Sequence, residues 1–115
     1  MDENIKKAYD IANYMATLSS QKQILKEEYY QSLIFYHNGG MFKATRELIN
    51  FVKTLTDVTE TNQAVLVDDN ELPIDIVNLQ EFLTLTLATY QFAVNSYYTS
   101  YSNLRKNRTV EGLMK

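Results

Sequence analysis

The chain has no cysteine, one proline, three glycines and one histidine in 115 residues. Without cysteine there are no disulfides, no thiolate metal sites and no cysteine nucleophile. A reducing compartment suits such a chain better than secretion, where small folds rely on staples. Scarce proline and glycine leave little material for irregular loops, so long regular elements are expected. Other gaps are local. From Asp57 to Glu81 there are seven acids and no base, and from Phe82 to Leu104 there is no formal charge at all. Tyrosine, present nine times, is missing between His37 and Val77. The gaps divide the chain into two tyrosine-bearing outer stretches and a compact, acidic middle.

At this length one domain with a real core is expected. Hydrophobic content of 45% and charged content of 22% are those of a globular chain rather than a disordered one. A net charge of −3 carries no global nucleic-acid signature. The opening Met-Asp-Glu-Asn places acids where a signal peptide carries positive charge, so the expected location is the cytoplasm. The uncharged 23 residues from Phe82 to Leu104 could span a bilayer by length. Ten of them are Thr, Ser, Asn or Gln, spread throughout, so no membrane partner is expected.

Ile11, Met15, Leu18, Leu25, Tyr29 and Tyr36 recur at spacings of three, four and seven, with Ala8 and Ala12 behind them. This predicts a helix over residues 2–37 with one apolar stripe. Gln21 and Lys22 interrupt the stripe, either as a slight rotation of the face or as a polar layer that sets register. Asn38-Gly39-Gly40 then supplies the left-handed conformations that end a helix. Met41 to Ala44 reads as short and extended. Thr45 is an N-cap, Glu47 stands in the first turn, and Leu48, Phe51, Val52, Leu55 and Val58 mark a helix over 46–57. Ala64 to Val67 and Leu72 to Ile76 flank an Asp/Asn turn and predict a β-hairpin over 64–76, with Pro73 on an edge or at a strand start. Residues 41–44 could add a third strand to that sheet.

Asn78 followed by Glu81 is a capping signature for the last helix, over 78–107. Within it Leu83, Leu87, Tyr90, Val94, Tyr97, Tyr101 and Leu104 alternate spacings of four and three as a heptad seam. Phe82, Leu85 and Phe92 form a second apolar row. Leu83 to Leu87 also alternates like a strand, but the heptad outlasts the alternation, and helix is retained.

The expected class is therefore mostly α, within α+β. Two long antiparallel helices form a helical hairpin, capped by a small head containing the short helix and the β-hairpin. In a single domain over 1–115, residues 1–37 and 78–108 are arms, 38–77 the head and 109–115 a tail.

No constellation has catalytic or metal-site spacing. Asp68-Asp69-Asn70-Glu71 suggests a calcium loop, but the sixth position is Pro73 and the twelfth Leu79, so a solvated turn is expected instead. His37 would complement the carbonyls at the first helix's end. Glu27 and Glu28, or Glu47 and Asp57, read as surface acids, and Glu27 lies within a turn of Lys22 and Lys26. No catalytic residue, metal ligand or cofactor is assigned. Interface residues are expected at Tyr90, Val94, Tyr97, Tyr101 and Leu104 on the seam, and at Tyr98 outside it. Arg105, Lys106 and Arg108 are the alternative nucleic-acid contact, with nearby tyrosines to stack bases.

The order long helix, hairpin region, long helix resembles the prefoldin-like layout, in which paired helices form an arm and hairpins assemble oligomers. The similarity spans the chain and is architectural; the helix at 46–57 departs from it. The small, cysteine-free, Tyr/Asn/Thr-rich composition also looks like accessory proteins of tailed bacteriophages, which would act in the host cytoplasm. Both resemblances imply a non-catalytic interaction module, chaperone-like or an assembly adaptor. A homo-oligomer is expected on physical grounds too, because the second arm has no charge to decorate an outer face. The alternative is a nucleic-acid accessory protein.

Overall fold

The computed structural model describes residues 2–107; Arg108 and the tail at 109–115 lie outside the described residues. Seven elements follow in order: α1 (Glu3–Ser32), β1 (Ile34–His37), β2 (Gly40–Lys43), α2 (Arg46–Val58), β3 (Ala64–Val67), β4 (Pro73–Ile76) and α3 (Leu79–Asn107). The structure is 68% helical, with two small antiparallel hairpins, so the mostly helical class holds. It divides into two compact units. One joins α1 up to Tyr29 with α3 from Ser96 onward; the other runs from Tyr30 to Asn95.

α1 starts where Asp2 accepts a hydrogen bond from the amide of Asn4, and it stops five residues earlier than the spacing predicts. Residues 34–37 are a strand, not the helix's last turn. Asn38 and Gly39 both take positive φ, +49° and +82°. That is the type I′ geometry of a two-residue β-hairpin, and it returns the chain so that Phe35 faces Phe42 and His37 faces Gly40. Asn38-Gly39-Gly40 is thus a strand-to-strand turn, not a helix terminus. Ile34-Phe35-Tyr36 suits a pleated surface, and pairing buries Phe35 and Phe42 with rings 5.8 Å apart.

α2 is built as expected. Thr45 adopts an extended conformation and its hydroxyl accepts from the Leu48 amide at 3.1 Å. Val52 is fully buried, while Phe51 and Val58 on the flank of the same face are exposed. The hairpin β3–β4 occupies the predicted span and pairs Ala64 with Ile76 and Val67 with Pro73. Residues 41–44 do not add a strand to it; the two hairpins are separate sheets.

α3 is helical throughout residues 83–92, where alternation had offered a strand. Its start is satisfied by two asparagines rather than one. Asn78 Oδ1 accepts from the Glu81 amide, Asn62 Oδ1 from the Gln80 amide, and the Asn62 carbonyl from the Leu79 amide. Asn62 takes φ +57° to do so and donates from Nδ2 to Asn78 Oδ1 at 2.9 Å.

The core of the Tyr30–Asn95 unit gathers Leu33, Phe35, Phe42, Ala44, Val52, Leu66, Ile74, Ile76, Leu79, Phe82 and Leu83. Phe82 is central, with its ring 5.0 Å from Phe42, 5.7 Å from Phe35 and 5.2 Å from His37. Thr86 is fully buried too, and its hydroxyl donates to the Phe82 carbonyl at 2.7 Å. Gly40 is required for space: a Cβ there would come within 2.6 Å of Ile74 Cγ1 and 3.0 Å of Phe42 Cε2. Both side chains are buried and cannot yield freely, so Gly40→Ala is expected to cost about 1–3 kcal/mol by overpacking. Chemical denaturation of the variant checks this.

In the other unit Leu18 is buried, and Tyr14, Lys22, Leu25 and Tyr29 are half-buried. Leu18, Leu25 and Tyr29 belong to the expected stripe; Tyr14 and Lys22 join them on the buried line, where no apolar stripe residue was expected. The stripe's start departs from expectation, because Ile11 and Met15 are exposed. So does its end, where Tyr36 is an exposed strand residue. Tyr29 and Tyr97 stack, with ring centroids 4.9 Å apart and planes inclined by 24°.

Candidate interaction surface

Six interface residues were expected on α3. Tyr90 and Val94, in the Tyr30–Asn95 unit, are half-buried; so are Tyr97, Tyr101 and Leu104 in the other. Tyr98 is 73% exposed, as its place off the seam requires. Toward the helix start the buried face is turned from the heptad line. Leu79, Phe82, Leu83, Thr86 and Ala93 are buried, whereas Leu87 is partly exposed. The proposed second apolar row does not exist as a buried row. Phe82 belongs to the core, but Leu85 is partly exposed and Phe92 is 70% exposed. Leu85 and Phe92, seven residues apart on a continuous helix, share one outward line. Between Phe82 and Leu104 no charged side chain accompanies them.

Arg105 and Lys106 are exposed in the last turn of α3, where cations complement the helix's negative end. Arg108 lies outside the described residues. Tyr98 and Arg105, also seven apart, share a line on the helix.

His37 is not at a helix terminus. It sits in β1, half-buried, with its ring edge-on to Phe82, which makes it part of the core's margin. The acidic turn is exposed from Asp69 to Leu72, as expected, but its first residue is not. Asp68 is buried. One of its oxygens accepts from the Asn70 and Leu72 amides at 3.0 and 2.9 Å, closing its own turn; the other accepts from the Met41 amide at 2.9 Å, tying that turn to β2. The Asp69 amide completes the junction by donating to the Met41 carbonyl. The Leu72 and Met41 hydrogen bonds, more than that of Asn70, hold the carboxyl below its usual range against the opposing effect of desolvation. The carboxylate is thus a structural fastener between two hairpins. Its one sequence signal was a position heading an Asp-x-Asn turn, which does not disclose a partner 27 residues away.

Among the described residues no group of three or more His, Cys, Asp or Glu could hold a metal ion, and no helix is long and apolar enough to cross a membrane. No protein family, curated protein or solved structure matches the chain.

Proposed function

We propose that the chain acts through protein–protein contact, as a non-catalytic, homo-oligomeric assembly adaptor or chaperone-like module. Its two long helices would lie antiparallel as an arm, in the manner of prefoldin-like proteins. The stacked Tyr29 and Tyr97 support that pairing. Counted residue for residue from that pair, Leu25 falls opposite Tyr101, and both are half-buried.

One observation carries the proposal: Phe92 and Leu85 stand exposed on a helix with no charge over 23 positions. Solvent-facing helices ordinarily carry charges, and an uncovered phenylalanine on such a face suits a partner's apolar surface. A second copy of the same helix supplies that surface without further assumption. Light scattering after gel filtration should give a mass that is a multiple of 13.4 kDa. Replacing Phe92 and Leu85 with lysine should shift it to the monomer. A monomer at high concentration in the parent protein would overturn the proposal.

A second reading has its own support. Tyr98 and Arg105 share a line on α3, so a ring and a cation could engage a base and its phosphate. It requires single-strand binding that weakens steeply with salt and disappears when Arg105, Lys106 and Arg108 are replaced.

A further inference from the structure

The hairpin β3–β4 has one closed edge and one open edge. The Asp68 amide donates to the Leu72 carbonyl, so this pair points inward. In an antiparallel ladder inward pairs recur every second residue, which makes Leu66–Ile74 and Ala64–Ile76 the bonded pairs. The backbone groups of Val65 and Val67 therefore point away from β4, and those of Pro73 and Asp75 point away from β3. On the β4 side Pro73 has no N–H to offer, and the Asp75 carbonyl accepts from Asn38 Nδ2 at 2.7 Å. On the β3 side the outward N–H and C=O groups of Val65 and Val67 have no partner among the described residues.

The side chains beside this edge are unguarded as well. Val65 is 64% and Val67 67% exposed. Edge strands are usually protected by lysine, proline or a bulge, and Ala64-Val65-Leu66-Val67 has none of these. The surroundings carry one sign of charge. Glu60, Glu71, Asp75 and Glu81 are exposed and make no ion pair among the described residues, and residues 57–81 contain no base. Asp75 faces Val65 across the ladder, so its carboxylate shares the solvent face with the valines.

The geometry points to β3 as the acceptor for an added strand, supplied by an extended basic segment of another protein in which apolar β-branched residues alternate with lysine or arginine. Main-chain hydrogen bonds to Val65 and Val67 fix its register, and alternation puts its cations on the valine face, where Asp75 stands, and its apolar residues on the Leu66 face. There its cations meet Asp75, which makes no ion pair among the described residues. A second copy of β3 fits less well, because it would bring two acidic hairpins edge to edge.

The test uses the full chain and two short blocked peptides, one alternating valine with lysine and one alternating valine with glutamate. The lysine peptide should bind, lose affinity with added salt, and slow amide exchange at Val65 and Val67; the glutamate peptide should do neither. Val67→Pro removes one outward donor that the hairpin does not use. It should weaken binding about tenfold or more while leaving most of the thermal stability, as Pro73 does on the opposite edge. Val65→Lys with Val67→Lys keeps the backbone intact and should weaken binding too, so a misfolded proline variant would not spare the proposal. Equal binding of both peptides, or binding without protection at Val65 and Val67, would overturn it. So would self-association through this edge, seen as a dimer that Val67→Pro dissolves and neither peptide competes with. Repeating the titration on the Phe92 and Leu85 lysine variant separates this edge from the α3 surface, since peptide binding should survive there.

Discussion

Replacing Phe82 with alanine should lower the stability of the Tyr30–Asn95 unit by about 3–5 kcal/mol, the range for deleting a fully buried phenylalanine. The location argues for the upper part of that range. Phe82 lies where three elements converge: β1 contributes Phe35 and His37, β2 contributes Phe42, and α3 contributes the ring itself. A cavity lined by aromatic rings held in a short hairpin collapses poorly, because the rings cannot advance without breaking the strand register. For a chain of this size the loss corresponds to a fall in melting temperature of about 10–25 °C. Thermal unfolding followed by circular dichroism checks it. Phe82→Leu retains much of the volume and should recover more than half of the loss. A Phe82→Ala protein melting within a few degrees of the parent would mean that the cluster is not the core's centre.

That cluster also shows what the sequence could and could not disclose. Caps and turns that work within a few residues were legible. Thr45 bonds to the amide three residues on, Asn78 does the same, and the Asp/Asn turn joins two β-branched runs where expected. The missed element, β1, had a signal too. Asn38-Gly39 is the strongest short hairpin signature, and Ile34-Phe35-Tyr36 ahead of it favours a strand. It was outweighed by Tyr36, which falls seven residues after Tyr29 and so prolongs a helical stripe. Two turns of helical period cannot be told from a strand when the residues are aromatic. Only tertiary burial of Phe35 decides it. Thr86 illustrates the same limit on α3. A hydroxyl that bonds to its own helix can be buried, yet in a sequence it reads as solvent-facing and pulls the inferred seam away from the true core face. Tyr98 is exposed because its angle on the helix turns it off the seam. Phe92 is exposed too, although its spacing placed it in a second apolar row; spacing alone does not separate an outward apolar residue from one in the core.

Acidification should expose the fastening role of Asp68, and Asp68→Asn isolates it. The carboxyl titrates below its usual 3.8 in the folded chain because the Leu72 and Met41 amides, then that of Asn70, donate to its charged form. A depressed folded-state value means that the stabilisation is complete above the unfolded value. It is lost as pH falls through the folded one. Asparagine is nearly the same shape, but it offers one acceptor and turns an NH2 group toward an amide that itself needs an acceptor. Either way of seating the amide leaves Met41, or the Asn70 and Leu72 pair, facing a donor. The variant should therefore melt well below the parent at neutral pH. As the pH falls below the unfolded value of 3.8 and through the lower folded one, the parent should fall toward the variant, because protonation disables the fastener that the variant already lacks. The remaining carboxylates act in both proteins and cancel in the difference. Melting temperature against pH for the two, read by circular dichroism, is the measurement. Curves that stay parallel down to low pH would show that Asp68 holds the hairpins by shape alone. Curves that converge would place its contribution in the charge that meets those backbone donors.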